Sequence, residues 1–150
     1  MKKIISIIAG DPNSINSELI FKSWKRLNPK IRKNIILIGN FNLINKQKQK
    51  LKFNIKLSKI LNLNEVKPNN CLRILDYPLK FNNCFSVPKK EASKYVIGCL
   101  NHAHNLCKQK KINGFINCPV DKNLIKKSGI QGVTEFLGKK NSSTKFSEVM

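Results

Sequence analysis

Apolar residues near the start of the chain gather in two short stretches, 4–9 and 35–39, each of strand length and rich in β-branched side chains. They predict buried strands over residues 2–8 and 34–39. Between them, Gly10-Asp11-Pro12-Asn13-Ser14 is turn-forming, with Asp11 expected to accept backbone N–H bonds. Leu19, Ile20, Ser23, Trp24 and Leu27 then recur at helical spacing. Ser14 or Asn16 would cap that helix and Asn28-Pro29 would stop it. A short surface helix is expected over 41–52, an alternating edge strand over 53–57, a polar loop over 62–71 and a strand over 72–75.

The clearest helical pattern covers residues 88–111. Pro88 suits the first turn, Glu91 complements the positive end of the dipole, and Lys108, Lys110 and Lys111 suit the negative end. A strand over 114–118 and a helix over 122–127, ended by Ser128-Gly129, follow. The last residues, Phe146 to Met150, have the look of a further strand. Strands alternating with helices predict an α/β fold, a mostly parallel sheet with helices on both faces. No linker or internal repeat marks a domain boundary within 1–150.

Composition changes this picture little. No apolar run approaches the ~20 residues that span a bilayer, and the short apolar start running into Gly10-Asp11-Pro12 reads as a strand rather than a signal peptide. The expected location is cytoplasmic. The net charge of +21 invites a nucleic-acid reading. However, the basic residues are almost all Lys, with only Arg26, Arg32 and Arg73, and aromatics are few. Guanidinium forks and stacking rings, which read and grip nucleic acid, are therefore scarce. Lys, Asn and Ile share A/T-rich codons, so base composition accounts for the excess. Five cysteines at irregular spacing, without a C-x-x-C pair, read as free thiols. His102 and His104, two apart on a helix, cannot share a face as metal ligands.

In a parallel sheet, ligands gather beyond the carboxyl ends of the strands. Three segments stand there or close by. Ala9-Gly10-Asp11-Pro12-Asn13-Ser14-Ile15-Asn16-Ser17-Glu18 resembles the opening Gly-Asp/Glu-Pro-Ala-Gly-Ile-Gly-Pro-Glu segment of the 4-hydroxythreonine-4-phosphate dehydrogenases. Ile116-Asn117-Cys118-Pro119-Val120-Asp121-Lys122 resembles their Thr-Gly-Pro-Val/Ile-x-Lys segment. Gly132-Val133-Thr134-Glu135-Phe136-Leu137 resembles their Gly-His-Thr-Glu-Phe/Tyr-Leu segment. Order and approximate spacing agree, and the resemblance covers the whole chain as the N-terminal part of a family member.

The resemblance implies a two-domain dimer with a fold similar to isocitrate and isopropylmalate dehydrogenases and a cleft between the domains. It implies NAD-dependent oxidation of 4-phosphooxy-threonine, with decarboxylation, on the route to pyridoxal phosphate. A divalent metal (Zn, Mg or Co) would polarise the hydroxyl and the nascent carbonyl. Thr134, Val133 and Lys122 fall on substrate-contacting positions. Gly10, Asp11, Pro12, Glu18, Pro119, Gly132 and Glu135 fall on residues that shape the cleft. The family's metal-binding histidines and most nicotinamide contacts lie beyond the third segment. Catalytic residues and a complete metal site are therefore expected beyond Met150, with none of the metal ligands in residues 1–150.

Departures from the family pattern are specific. Val133 stands where the family has histidine, and Cys118 replaces a glycine. Ser14 and Asn16 replace glycines whose backbone other residues adopt less easily. Gln131-Gly132 follows Ile130 two residues sooner than in the family. These changes leave open a divergent enzyme and an inactive remnant domain. A basic nucleic-acid-binding module is the third reading.

Overall fold

The computed structural model of the chain describes residues 4–65, 70–126 and 132–141. Five strands, β1 (Ile5–Ile8), β2 (Ile35–Gly39), β3 (Leu57–Ile60), β4 (Leu72–Asp76) and β5 (Gly114–Asn117), form one sheet in the order β3-β4-β2-β1-β5. Every pairing is parallel. The helices are α1 (Asn16–Arg26), α2 (Pro29–Arg32), α3 (Phe41–Lys50), α4 (Lys89–Lys108), α5 (Lys122–Ile125) and α6 (Val133–Asn141), with one 3-10 turn at Leu63–Glu65.

Side chains alternate along a strand, so each central strand feeds two cores. Ile36, Ile38, Ile8 and Leu75 meet the apolar stripe of α4 (Ala92, Val96, Cys99, Leu100, Ala103) together with Leu124, Ile125 and Phe136 from α5 and α6. On the other face Ile35, Leu37, Leu72 and Ile74 meet Ile20, Phe21 and Trp24 of α1 and Ile44 of α3. Burial on both sides is why β2 reads as an unbroken apolar run, all five of its residues being buried. The expected α/β sheet with helices on both faces is what forms.

Several local expectations shift. The alternating segment 53–57 is not the ladder: β3 starts at Leu57, which pairs with Leu72. The alternation is nevertheless real, because Ile55 is buried and the Phe53 ring packs tilted against that of Phe21, centroids 5.3 Å apart. Residues 53–55 precede the ladder and pack on the core through Phe53 and Ile55, while Lys56 O already accepts from Leu72 N at 2.9 Å. The cap position of α1 is Ile15, without a side-chain bond, rather than Ser14 or Asn16, although Ser14 Oγ accepts from the N–H of Asn16, the first helical residue, at 3.2 Å. Asn28 does end that helix, and its side chain also accepts from Lys30 N to start α2. Residues 132–137, read only as a motif, open helix α6. His104 is buried, while His102 lies half-buried beside the Tyr77 ring at 6.0 Å. Burial and the nearby Lys111 lower its pKa. The expected stop at Ser128-Gly129, the residue Gln131 and the strand expected from Phe146 to Met150 lie outside the described residues. The catalytic residues expected beyond Met150 lie outside them too.

Candidate functional site at the carboxyl edge of the sheet

All five strands run the same way, so their carboxyl ends share one edge. The chain leaves β1 through Ala9, hydrogen-bonded to Ile38 O, and turns at Gly10. Gly10 has φ +73°, a left-handed geometry that costs a non-glycine residue energy. A Cβ at Gly10 would lie 2.6 Å from Asn16 Nδ2 and 2.9 Å from the Pro119 carbonyl oxygen. Glycine is therefore required twice over, by backbone geometry and by close approach. Asp11 does accept a backbone N–H, from Asn13 at 2.9 Å.

Three side-chain amides fasten this turn. Asn16, buried at the start of α1, donates from Nδ2 to the carbonyls of Ala9 (3.1 Å) and Pro119 (2.7 Å), joining the β1 and β5 loops. Gln47 of α3, also buried, donates to Pro12 O (2.9 Å) and Cys84 O (2.7 Å). Asn13 pairs reciprocally with the Val87 backbone, donating to its carbonyl at 2.9 Å and accepting from its N–H at 2.7 Å. These bonds replace backbone pairing that irregular loops lack, and the burial of the Asn16 and Gln47 side chains makes theirs costly to lose. The anticipated need for glycine at positions 14 and 16 does not arise: among the described residues only Gly10, Lys52 and Lys110 have positive φ.

The β5 side of the edge is built differently. After the half-buried Cys118 and the exposed Pro119, Asp121 caps α5, its Oδ1 accepting from Asn123 N at 2.9 Å. Asp121, Lys122, Asn123 and Lys126 line an open hollow. All four are exposed, and two cations against one carboxylate leave it net positive. Cys118 packs against the α1-side core, and burial pushes its thiol up to about 11.

The first two motif segments are thus in direct contact, through Asn16 and Pro119. The third is carried by α6, which packs on α5. Thr134 is exposed in its first turn, Gly132 O accepts from Phe136 N at 3.0 Å, and Glu135 is half-buried. Val133, at the family's histidine position, packs half-buried against the α4-side core with Leu137. Glu18 lies further along α1 and pairs with Lys22 at 2.6 Å. Asn13, Asn16, Gln47, Asn123 and Lys126 were not anticipated. The amides of Asn13, Asn16 and Gln47 bond partners distant in sequence, and amides and lysines are too common in this chain to stand out.

Neither implied cofactor fits the described residues by themselves. No group of three His, Cys, Asp or Glu side chains among them converges as a metal site would require. The space over Gly10, where a pyrophosphate could approach the backbone, is filled by the Asn16 amide and the Pro119 carbonyl. Among the described residues no helix is long and apolar enough to cross a membrane.

With this geometry in view, the chain can be set beside known proteins. The family model for the pyridoxal phosphate biosynthetic protein PdxA matches residues 31–150. A 4-hydroxythreonine-4-phosphate dehydrogenase from Sulfurihydrogenibium sp. (strain YO3AOP1) is 26% identical over 148 residues, covering 97% of this chain and 45% of that protein. Two crystal structures share the fold. The 4-hydroxythreonine-4-phosphate dehydrogenase of Burkholderia phymatum superposes with TM-score 0.78 at 19% identity, covering 93% of this chain and 43% of that one. The Klebsiella pneumoniae enzyme of the same name gives 0.69 at 19% identity, covering 82% and 39%. The chain spans less than half the length of these relatives. It belongs to the PdxA family of 4-hydroxythreonine-4-phosphate dehydrogenases.

Proposed function

We propose that this member of the PdxA family holds the phosphorylated end of 4-phosphooxy-L-threonine during its NAD-dependent oxidation and decarboxylation, and that residues 1–150 alone do not turn it over. The observation that carries the reading is the net-positive hollow at Lys122, Asn123 and Lys126, held against the fixed β1 turn by Asn16 and Pro119. Lys122 and Lys126 offer ammonium groups to phosphate oxygens, and the Asn123 amide can donate to them as well. Thr134, exposed on α6, offers a hydroxyl donor to a substrate oxygen. Val133 cannot make the hydrogen bond of the family's histidine, which leaves Thr134 and the lysines as the polar contacts of this part. Gly10, Asp11, Pro12 and Pro119 shape the wall of the site, and Gly132, Glu135 and Glu18 frame it.

NAD would accept the hydride and a divalent metal would polarise the reacting oxygens. By the resemblance, the groups that would hold both belong to the part of the family fold outside this match. We further propose a homodimer in a cytoplasmic setting, on the same ground. Isothermal titration of the purified chain with 4-phosphooxy-L-threonine tests the binding role. Lys122→Ala and Lys126→Ala should each weaken binding by about 1 kcal/mol, roughly fivefold. Absent binding, or binding indifferent to both changes, would overturn it. NADH formed by the 150-residue chain would contradict the proposed division of labour.

A further inference from the structure

The helix behind the open hollow, α5, is four residues long, too short to satisfy its own backbone groups. Lys122, Asn123 and Lys126 line the hollow on one side of it. Leu124 and Ile125 are buried in the α4-side core on the other. Apolar burial holds such a segment down but does not fix its rotation, because hydrophobic attraction has no direction. Polar ties supply the direction. At the start of α5, Asp121 accepts from Asn123 N. Further along, the Leu124 carbonyl accepts from the hydroxyl of Ser93, 31 positions away on α4. That carbonyl belongs to the last turn of α5 and has no partner within the helix. Ser93 supplies one from a twenty-residue helix that is itself packed on the sheet.

The residue type on α4 is informative. Serine is a poorer former of helix interiors than alanine, and its hydroxyl commonly turns back to the carbonyl four residues earlier. The half-buried Ser93 instead crosses to another element. We infer that Ser93 is a positioning residue for substrate binding: by holding the Leu124 carbonyl it orients the segment whose Lys122 and Lys126 line the hollow. It lies outside all three motif segments and touches α5 rather than the ligand. The inference rests on the proposed phosphate-holding role of that hollow.

Isothermal titration of 4-phosphooxy-L-threonine into the purified chain, Ser93→Ala and Ser93→Thr tests it. Ser93→Ala should weaken binding about fivefold, the effect of moving the cations by part of an ångström. Ser93→Thr keeps the hydroxyl and should bind within about twofold of the unaltered chain. The thermal midpoints of all three should agree within about 3 °C, since alanine's better helix propensity offsets part of the lost bond. In amide spectra without ligand, Ser93→Ala should shift Asn123 and Lys126 and leave Asn13 and Gln47 in place. Affinity that falls without stability and returns with the hydroxyl is not the behaviour of a serine that only holds the fold together. Equal affinity of Ser93→Ala and the unaltered chain would overturn the inference and leave the proposed function standing. A loss that Ser93→Thr does not restore, or a midpoint that falls in step with affinity, would overturn it as well. An unaltered chain that does not bind the substrate would overturn both.

Discussion

The β1 and β5 loops meet at one carbonyl, yet they are built on opposite plans. Around Gly10 the backbone is buried and closed in by the amides of Asn13, Asn16 and Gln47. Around Lys122 the side chains are exposed and charged, and the open hollow is braced from within by the cap at Asp121. A site needs both: a wall that does not move, and groups whose bonds are left for a ligand. On the proposed reading the first loop serves stability and the second binding, and mutations should separate the two.

The largest effect is expected at the turn itself. Gly10→Ala forces a Cβ into the left-handed region and against Asn16 and Pro119, and should cost about 2–4 kcal/mol in a urea melt. Asn16→Ala should follow, at about 1–3 kcal/mol, since it strips the buried Ala9 carbonyl and the part-buried Pro119 carbonyl of their donor. A melt unchanged by either substitution would break the comparison. Val133→His, restoring the family's residue, should cost about 1 kcal/mol of stability in this chain, because the imidazole would displace an apolar contact with the α4-side core. Lys122→Ala should be the smallest, within about 0.5 kcal/mol in the same melt, while weakening phosphate-ester binding. A destabilisation at Lys122 equal to that at Asn16 would mean that the two loops are not differently built.

Acidity adds a finer test at the junction. The folded-state pKa of Cys118 is raised from 9.0 to about 11 by burial, so the protonated thiol is the form that folding favours. Its contribution to stability is full below pH 9 and is lost as pH rises toward about 11. Alkylation at about pH 8, below that window, should therefore reach Cys118 slowly and accelerate across it. Rapid labelling below the window would show the loop to be open.

The strands and long helices were legible because their signals are local. A doubly buried strand must be apolar throughout, as in β2, and α4 must show its stripe every third or fourth residue. The site was legible only in part. Gly10, Asp11 and Pro119 could be singled out from the resemblance, and the structure brings the first two motif segments together. The amide ties could not, because Asn16 looks like a helix cap in sequence and becomes a cross-loop clasp only once β5 is placed beside β1. Phe53 and Ile55 misled for a related reason: alternation reports which side is buried, and pairing depends on where β4 begins.

The central claim is that the β5 loop presents the phosphate-holding groups on a prefixed β1 wall. Amide chemical-shift mapping of the isotope-labelled chain titrated with 4-phosphooxy-L-threonine tests it most directly. Shifts concentrated at Lys122, Asn123, Lys126 and Thr134, with Asn13 and Gln47 unmoved, are the predicted result. Shifts spread evenly over the lysine-rich surface, or none at the β5 loop, would contradict it.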